Sequence, residues 1–210
     1  MNHNVIITIA RQFGSGGRQI GEKLAEKLVI PFYDKSIIHL AAKESGINED
    51  LFDSADEKTN HNFWTVAAAN TSIYGNRISI FNEMPMNDKL FIIQSSIIKK
   101  LASNGSCVIV GRCADYILKE DPNVISVFIH SSEQEKLDRV IHTYGFADKD
   151  ARNIMIKTDK KRAAYYNYYS GEKWGRADNY DLSINSGAAG IDGAVDLIIK
   201  FAELKQKALK

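Results

Sequence analysis

The sequence predicts an α/β fold in which a doubly wound sheet of about five parallel strands is flanked by helices. Short apolar, β-rich runs lie near residues 5–10, 32–33, 107–110, 124–129 and 182–184. Helical patterns separate these runs, and strands that alternate with helices favour a parallel sheet. The chain has 210 residues, of which 44% are apolar, so we expect a single domain with a sizeable core.

The glycine-rich turn at residues 14–17 is the most informative stretch of the chain. It follows the first strand run directly, and after it Ile20, Leu24 and Leu28 recur every four residues, which indicates a helix. Backbone N–H groups in such a turn can converge on one point, where the positive end of the helix dipole attracts an anion, most often phosphate. We therefore predict a site for the phosphates of a nucleotide formed by Gly14, Ser15, Gly16, Gly17, Arg18 and Gln19.

The turn differs from the usual phosphate loop, G-x-x-x-x-G-K-[ST]. In that pattern the Lys reaches the terminal phosphates and the final hydroxyl binds magnesium. Here Arg11 stands in place of the first Gly, Gly17 in place of the Lys and Arg18 in place of the Ser or Thr. The cations nearest to the turn in sequence are therefore Arg11 and Arg18.

Two other interpretations of the same turn remain open. The stretch partly fits the dinucleotide pattern G-x-G-x-x-G, and Asp34 lies about 20 residues on, where that pattern has its ribose-binding acid. Gln19, however, stands where the third Gly belongs. A glycine turn can also be no more than a tight connection between a strand and a helix.

The first half of the chain continues with helical patterns. Asp34 is well placed to cap a helix over residues 35 to about 45, which Gly46 would end. Asn48 could cap a further short helix. Residues 53–87 contain no strand pattern, and we interpret them as part of a helical excursion from the sheet.

The second half returns to a regular alternation of elements. An apolar stripe predicts a helix from residue 87 to about 101, and Ser132 with Glu135 has capping-box spacing for another. A polar, basic helix should follow over residues 148 to about 169. The last predicted helix covers residues 191–207.

Ligands of open α/β sheets bind at the carboxyl ends of the strands. We therefore expect one cleft to be formed by residues 11–18, 34, 111–115 and 130–132. At the end of one strand, the guanidinium of Arg112 could grip a phosphate with two N–H groups, although a surface ion pair is the alternative. Asp115 is the nearest carboxylate that could hold a magnesium-bound water, or else it is a solvated helix residue.

A basic segment at residues 157–162 places four cations in six positions. Such a cluster could close over bound phosphates as a lid. The alternative is a solvated helix face. An upstream phosphate loop favours the lid.

The overall composition excludes several classes of function. A formal charge of +1 gives no general attraction to nucleic acid or to an anionic membrane, and no apolar run approaches the length of a membrane span. Cys107 and Cys113 are too few for a disulfide framework and have no neighbouring metal ligands, so we expect reduced thiols in a cytoplasmic protein. The sequence allows a homodimer but does not decide the oligomeric state.

Four stretches together carry a family resemblance: ITIARQFGSGGRQIGEKLAEKL, CVIVGRCADYIL, VFIHSSEQEKLDRV, and DKKRAAYYNYYSGEKWG with NYDLSINS. They resemble the cytidylate kinase-like family, a branch of the nucleoside monophosphate kinases within the P-loop fold. The resemblance spans nearly the whole chain. It implies one P-loop domain over residues 1–210, with a helical monophosphate-binding excursion at about 35–87 and a lid at about 145–180.

The resemblance also implies an activity and a set of site residues. The activity is transfer of the ATP γ-phosphoryl group, with Mg²⁺, to a nucleoside monophosphate such as CMP or dCMP. By this resemblance Asp34 and Arg112 would bind the acceptor, and we add Asp115 to them because it lies three residues after Arg112. The resemblance places Arg139 and Arg162 in the lid. We expect these two arginines and Arg18, the cation next to the glycine turn in sequence, to neutralise charge during transfer.

The chain departs from the cytidylate kinases at several positions. Besides the missing loop Lys, Val110 replaces the Asp that precedes their Gly-Arg pair, and Cys113 follows that pair. Two other functions therefore stay open. One is a nucleotide-binding protein of the same fold that senses or scaffolds without turnover. The other is an oxidoreductase that binds its cofactor through Gly14, Gly16 and Asp34, against which the basic lid argues.

Overall fold

The parallel sheet is present, and each strand begins and ends within one residue of its predicted bounds. The computed structural model describes residues 4–48, 50–51 and 84–208. In this part of the chain the strands are β1 (Ile6–Arg11), β2 (Phe32–Tyr33), β3 (Cys107–Val110), β4 (Val124–His130) and β5 (Leu182–Asn185). All neighbours pair in parallel, in the order β2-β3-β1-β4-β5. The predicted α/β fold class is therefore confirmed.

Helices cover both faces of the sheet. Those with described bounds are α1 (Gly17–Leu28), α2 (Ser36–Ser45), α3 (Met86–Ser103), α4 (Ala114–Ile117), α5 (Glu133–His142), α6 (Asp148–Ser170) and α7 (Ser186–Ala208). The last of these begins five residues earlier than predicted and is interrupted at Gly190, whose φ is 69°. None of the described helices is long and apolar enough to cross a membrane.

Two apolar layers hold the helices on the sheet. Ile7 and Ile9 of β1 pack with α1 and α7, where Leu24 and Ile198 are fully buried. Ile6, the residue before Ile7, faces the opposite layer, which α2 and α3 cover. This burial on both faces explains why the strands read as continuous apolar runs. Because β1 lies at the centre of the sheet, its carboxyl end is held between β3 and β4.

The helix ends confirm some of the predicted caps and contradict one. Ser132 and Glu135 form both hydrogen bonds of the predicted capping box. The hydroxyl groups of Ser131 and Ser132 donate to the Glu135 carboxylate and hold its pKa below the usual range. Gly46 ends α2 as predicted. The expectation that Asp34 caps α2 is wrong, because the residue at the cap position is Lys35 and no side chain bonds to the first turn.

Two further predictions concern the middle of the chain and the thiols. Most of the predicted helical excursion at 35–87 lies outside the described residues, and so does most of the short helix after Asn48. Within the described part, the Asn48 side chain accepts a hydrogen bond from the Asp50 N–H at 3.0 Å. Cys107 and Cys113 are both buried thiols, as expected for packing residues.

Candidate nucleotide-binding site

Residues 12–16, which we call the glycine loop, join β1 to α1 in an anion-binding conformation. Gly14 and Gly16 have φ values of 80° and 77°, which glycine adopts without strain. The Ser15 side chain is fully buried, and its hydroxyl donates to the Gln12 carbonyl at 2.8 Å. The loop then leads into α1 at Gly17 with no side-chain cap. Because the first N–H groups of a helix have no acceptor within it, they remain available to an anion.

The loop is held from two sides by helices that follow β4 and β5. A Cβ atom on Gly14 would lie 2.7 Å from the Lys136 carbonyl oxygen, and one on Gly16 would lie 2.6 Å from Ile191 Cδ1. The buried Ser186 hydroxyl, at the start of α7, donates to the Ser15 carbonyl at 2.6 Å. These contacts fix the loop in shape before any ligand arrives.

Three cations reach the loop from α5 and α6. Lys136 Nζ donates to Gln12 Oε1 at 3.1 Å, and Arg139 Nη1 donates to the Gly14 carbonyl at 2.6 Å. Arg162 Nη1 donates to the carbonyl of Arg11, the last residue of β1, at 3.0 Å. Arg139 and Arg162 were predicted, whereas Lys136 was not. Its spacing of three residues from Arg139 on one helix was the signal that could have identified it.

A carboxylate of α6 also touches the glycine loop. Asp159 Oδ1 accepts a hydrogen bond from the Phe13 N–H at 2.6 Å, and Arg162 lies 3.8 Å from the same oxygen. The Arg162 guanidinium also lies over the Phe13 ring, 5.6 Å from its centroid. Burial raises the pKa of Asp159. Sequence reasoning missed this residue because it is the one acid in a basic run that was interpreted through its cations.

The turn after β3 brings the predicted acceptor side to the same edge of the sheet. Gly111, Arg112 and Cys113 are all left-handed, with φ values of 80°, 61° and 53°. Consecutive non-glycine residues in this region are uncommon, and such backbone strain clusters at binding and catalytic sites. Arg112 is further fixed by its carbonyl, which accepts a hydrogen bond from Gln94 Nε2 at 3.4 Å.

The family can be assigned by comparison with known proteins. The model of the cytidylate kinase-like family matches residues 6–188. The chain belongs to this family. The predicted resemblance is therefore confirmed over most of the sequence.

Solved structures agree with this assignment, although no curated protein matches the chain. An uncharacterized protein from Eubacterium ventriosum ATCC 27560 is 34% identical, with a TM-score of 0.68, and the alignment covers 95% of this chain and 98% of that one. A shikimate kinase from Bacteroides thetaiotaomicron is 15% identical, with a TM-score of 0.55 and coverages of 95% and 98%. A gluconokinase from Sinorhizobium meliloti 1021 is 17% identical, with a TM-score of 0.52 and coverages of 97% and 96%. Because the two kinases are only 15% and 17% identical to this chain, their similarity shows a shared fold and nothing more.

This member of the cytidylate kinase-like family does not turn the Arg18 side chain onto the glycine loop. Arg18 is 62% exposed, and its guanidinium lies 2.9 Å from Asp34 Oδ2 and 2.9 Å from Glu22 Oε1. Its backbone, like that of Gln19, belongs to the first turn of α1. The guanidinium itself is occupied by two carboxylates.

Asp34, predicted to bind the acceptor, lies between the two arginines of the modified loop pattern. Its carboxylate is 10% exposed, accepts from Arg18 and lies 3.6 Å from Arg11 Nη2. It therefore reaches the cleft from the carboxyl end of β2. Of the predicted cleft at residues 11–18, 34, 111–115 and 130–132, the structure brings Arg11, Arg18 and Asp34 together, and the Arg11 guanidinium also lies against Gly111.

Asp115 lies in the interior and not on a solvated helix surface. The residue is 7% exposed, and burial raises the pKa of its carboxyl to about 6. Among the described residues, its Oδ2 atom has no hydrogen-bond partner. Asp115 is therefore a buried residue of α4, and the alternative of a solvated helix residue is wrong.

Proposed function

We propose that this protein transfers the γ-phosphoryl group of ATP to a nucleoside monophosphate, and that CMP and dCMP are the first acceptors to test. The observation that supports the proposal most directly is the glycine loop, with its left-handed Gly14 and Gly16 at the start of α1. Three cations, Lys136, Arg139 and Arg162, converge on it from two further helices. Membership of the cytidylate kinase-like family supports the same class of reaction.

The proposed reaction needs positioning and charge neutralisation but no covalent enzyme intermediate. An oxygen of the acceptor phosphate bonds to the γ-phosphorus while the bond to the oxygen that bridges it to the β-phosphorus breaks, and ADP leaves. Loop N–H groups hold the donor. Arg139 and Arg162, which donate to carbonyl oxygens in the unliganded protein, donate to phosphate oxygens in the complex, where each hydrogen bond is charge-assisted and stronger.

The acceptor phosphate would bind on the β2 and β3 side of the loop. Arg112 is placed there by the strained turn after β3, and its guanidinium can hold two phosphate oxygens at once. Asp34 keeps Arg18 and Arg11 at the same edge. We assign recognition of the base to the predicted excursion, most of which lies outside the described residues.

The proposal includes Mg²⁺ as a companion of ATP. The described residues contain no group of three or more His, Cys, Asp or Glu that could hold a metal ion, and Arg18 replaces the hydroxyl residue that binds magnesium in the usual loop. The carboxylates of Asp34 and Asp159 already face guanidinium groups. The residues at the loop therefore do not fit a protein-held magnesium ion, and we assign no step to one. Magnesium would be carried by phosphate oxygens and water.

The test is acceptor-dependent release of ADP from saturating Mg-ATP, with CMP, dCMP, UMP and AMP supplied in turn. We expect release to require an acceptor and to be fastest with CMP or dCMP. Tight ATP binding without release for any of the four would contradict the kinase proposal. It would support the second candidate, a nucleotide-binding protein without turnover, which is favoured by the missing loop Lys and by the Asp159 carboxylate on the loop.

The proposal also includes a cytoplasmic location and the absence of nucleic-acid partners, and it is compatible with a homodimer.

A further inference from the structure

The glycine loop lacks the cation that P-loop proteins place on the terminal phosphates of the donor. That cation is a Lys immediately after the second Gly of the pattern, and this chain has Gly17 there. Arg18 does not replace it, because its guanidinium binds Asp34 and Glu22. The proposed phosphoryl transfer therefore needs a positive charge from another position.

Arg11 lies in the space that the Lys side chain would use. It ends the central strand at the place of the first Gly of the pattern, and its side chain is 20% exposed. A Cβ atom on Gly17 would lie 2.5 Å from Arg11 Cβ and 3.0 Å from Arg11 Cγ. Real Cβ atoms do not approach so closely, so Arg11 can occupy this path only because residue 17 is glycine.

A second glycine leaves room for the guanidinium end of the same side chain. A Cβ atom on Gly111 would overlap Arg11 Nη1. Gly17 begins α1, whereas Gly111 follows β3, so two separate elements leave room for one arginine. The guanidinium consequently lies between the start of α1, where the donor phosphates are proposed to bind, and the turn that carries Arg112.

We infer that the positive charge has been exchanged between positions 11 and 17, so that Arg11 binds the terminal phosphates of the donor in place of the loop Lys. The inference rests on the proposed function and names a further residue of that site. Asp34 is the resting partner of Arg11 at 3.6 Å, and it keeps Arg18 at 2.9 Å when Arg11 turns to phosphate. The Asp34 carboxylate therefore still faces a cation when Arg11 binds phosphate.

Reciprocal substitution tests the exchange. Gly17→Lys alone should bind ATP poorly, because its side chain collides with Arg11. Arg11→Gly alone should weaken ATP binding by about 10- to 100-fold, since charge-assisted bonds are lost. The double variant restores the usual pattern and should bind ATP within about tenfold of wild type. In the double variant position 11 must be glycine and not alanine, because a side chain at position 17 would collide with the Cβ atom of any other residue at position 11.

The measurement is ATP affinity by titration calorimetry with Mg-ATP, alongside melting temperatures that show each variant is folded. Arg11→Ala and Arg11→Lys introduce no collision, and we expect the former to lose affinity and the latter to retain most of it. Lys27→Ala is the control: it removes one charge from the exposed end of α1, about 15 Å along the helix from Gly17. A folded Arg11→Ala protein that binds ATP as tightly as wild type would overturn the inference alone. A wild type that does not bind ATP would overturn both the inference and the proposed function.

Discussion

Arg112 has a backbone conformation that few non-glycine residues adopt, with φ at 61° next to Cys113 at 53°. If the turn serves to place its guanidinium on the acceptor phosphate, Arg112→Lys keeps the charge but loses the planar pair of donors. We expect the KM for the acceptor to rise about tenfold while ATP affinity stays unchanged. Steady-state kinetics with varied CMP and calorimetry with Mg-ATP give the two values. A parallel loss of ATP affinity would place Arg112 on the donor side instead.

The buried carboxyl group of Asp115 should make the free energy of unfolding depend on pH. Its pKa is raised from 3.8 to about 6 in the folded protein, so between these values the folded state binds more protons than the unfolded state. The free energy of unfolding should therefore fall as pH rises through this window. Each pKa unit is worth about 1.4 kcal/mol, so the loss that Asp115 causes by pH 8 is on the order of 3 kcal/mol.

Asp115→Asn isolates this effect, because the amide cannot ionise. The variant and the wild type should have similar denaturation midpoints near pH 4, and the variant should be the more stable protein at pH 8. Urea unfolding at a series of pH values measures the difference. Asp178→Asn, at an exposed carboxylate, serves as the control and should follow the wild-type curve. A wild-type advantage at pH 8 would mean that the buried carboxylate is stabilised by its surroundings.

At the residue scale, local patterns were predictable from the sequence, whereas contacts between distant residues were not. The glycine-rich turn was predictable because strand, turn and helix follow one another in the chain. The path of Arg11 was not, because it depends on Gly111, a hundred residues later, as well as on Gly17. Asp34 matched a local capping pattern, but its contacts with Arg11 and Arg18 exist only once β1, α1 and β2 are assembled. Local patterns carry no information about such contacts.

At the scale of elements, α6 is the part of the predicted lid that touches the glycine loop. Arg162→Ala removes a guanidinium that donates to the Arg11 carbonyl and is 26% exposed. If this group neutralises the transferred phosphoryl group, turnover should fall by about 10³-fold or more. The hydrogen bond lost in the unliganded protein is worth about 1 kcal/mol, which should lower the melting temperature by about 2–4 °C.

The matched control for this prediction is Lys149→Ala. Lys149 is an exposed cation in the first turn of the same helix, about 20 Å along its axis from Arg162. It should leave turnover unchanged. Equal turnover in Arg162→Ala and Lys149→Ala, measured as CMP-dependent ADP release, would remove Arg162 from the reaction.

The elements themselves were predictable wherever periodicity and end signals agreed. The capping box of α5 and the glycine that ends α2 fixed those helices from a few residues. The start of α7 was missed because residues 186–190 hold small residues with no apolar period, and Gly190 then breaks the helix. A lid at the basic segment was predicted from its charge together with the upstream phosphate loop. The contact of Asp159 with that loop was not predictable and needed the structure.

At the scale of the whole molecule, the three candidate functions predict different responses to a panel of ligands. A ligand that binds the folded state stabilises it by about 2.7 kcal/mol at a concentration 100 times its Kd. In a domain of this size that corresponds to a rise in melting temperature of roughly 5–10 °C. The panel is Mg-ATP alone, CMP alone, Mg-ATP with CMP, and NAD, each on the full chain.

A kinase should be stabilised by Mg-ATP and further by CMP, since the two proposed sites are at one edge of the sheet and α6 contacts the loop between them. A nucleotide-binding protein without an acceptor site should respond to Mg-ATP and show no added shift with CMP. An oxidoreductase should respond to NAD instead, although Arg18 already occupies the Asp34 carboxylate that the ribose would need. Lys27→Ala should reproduce the wild-type shifts, because it changes the charge of α1 without touching the loop. A shift with NAD and none with Mg-ATP would replace the kinase proposal with the oxidoreductase.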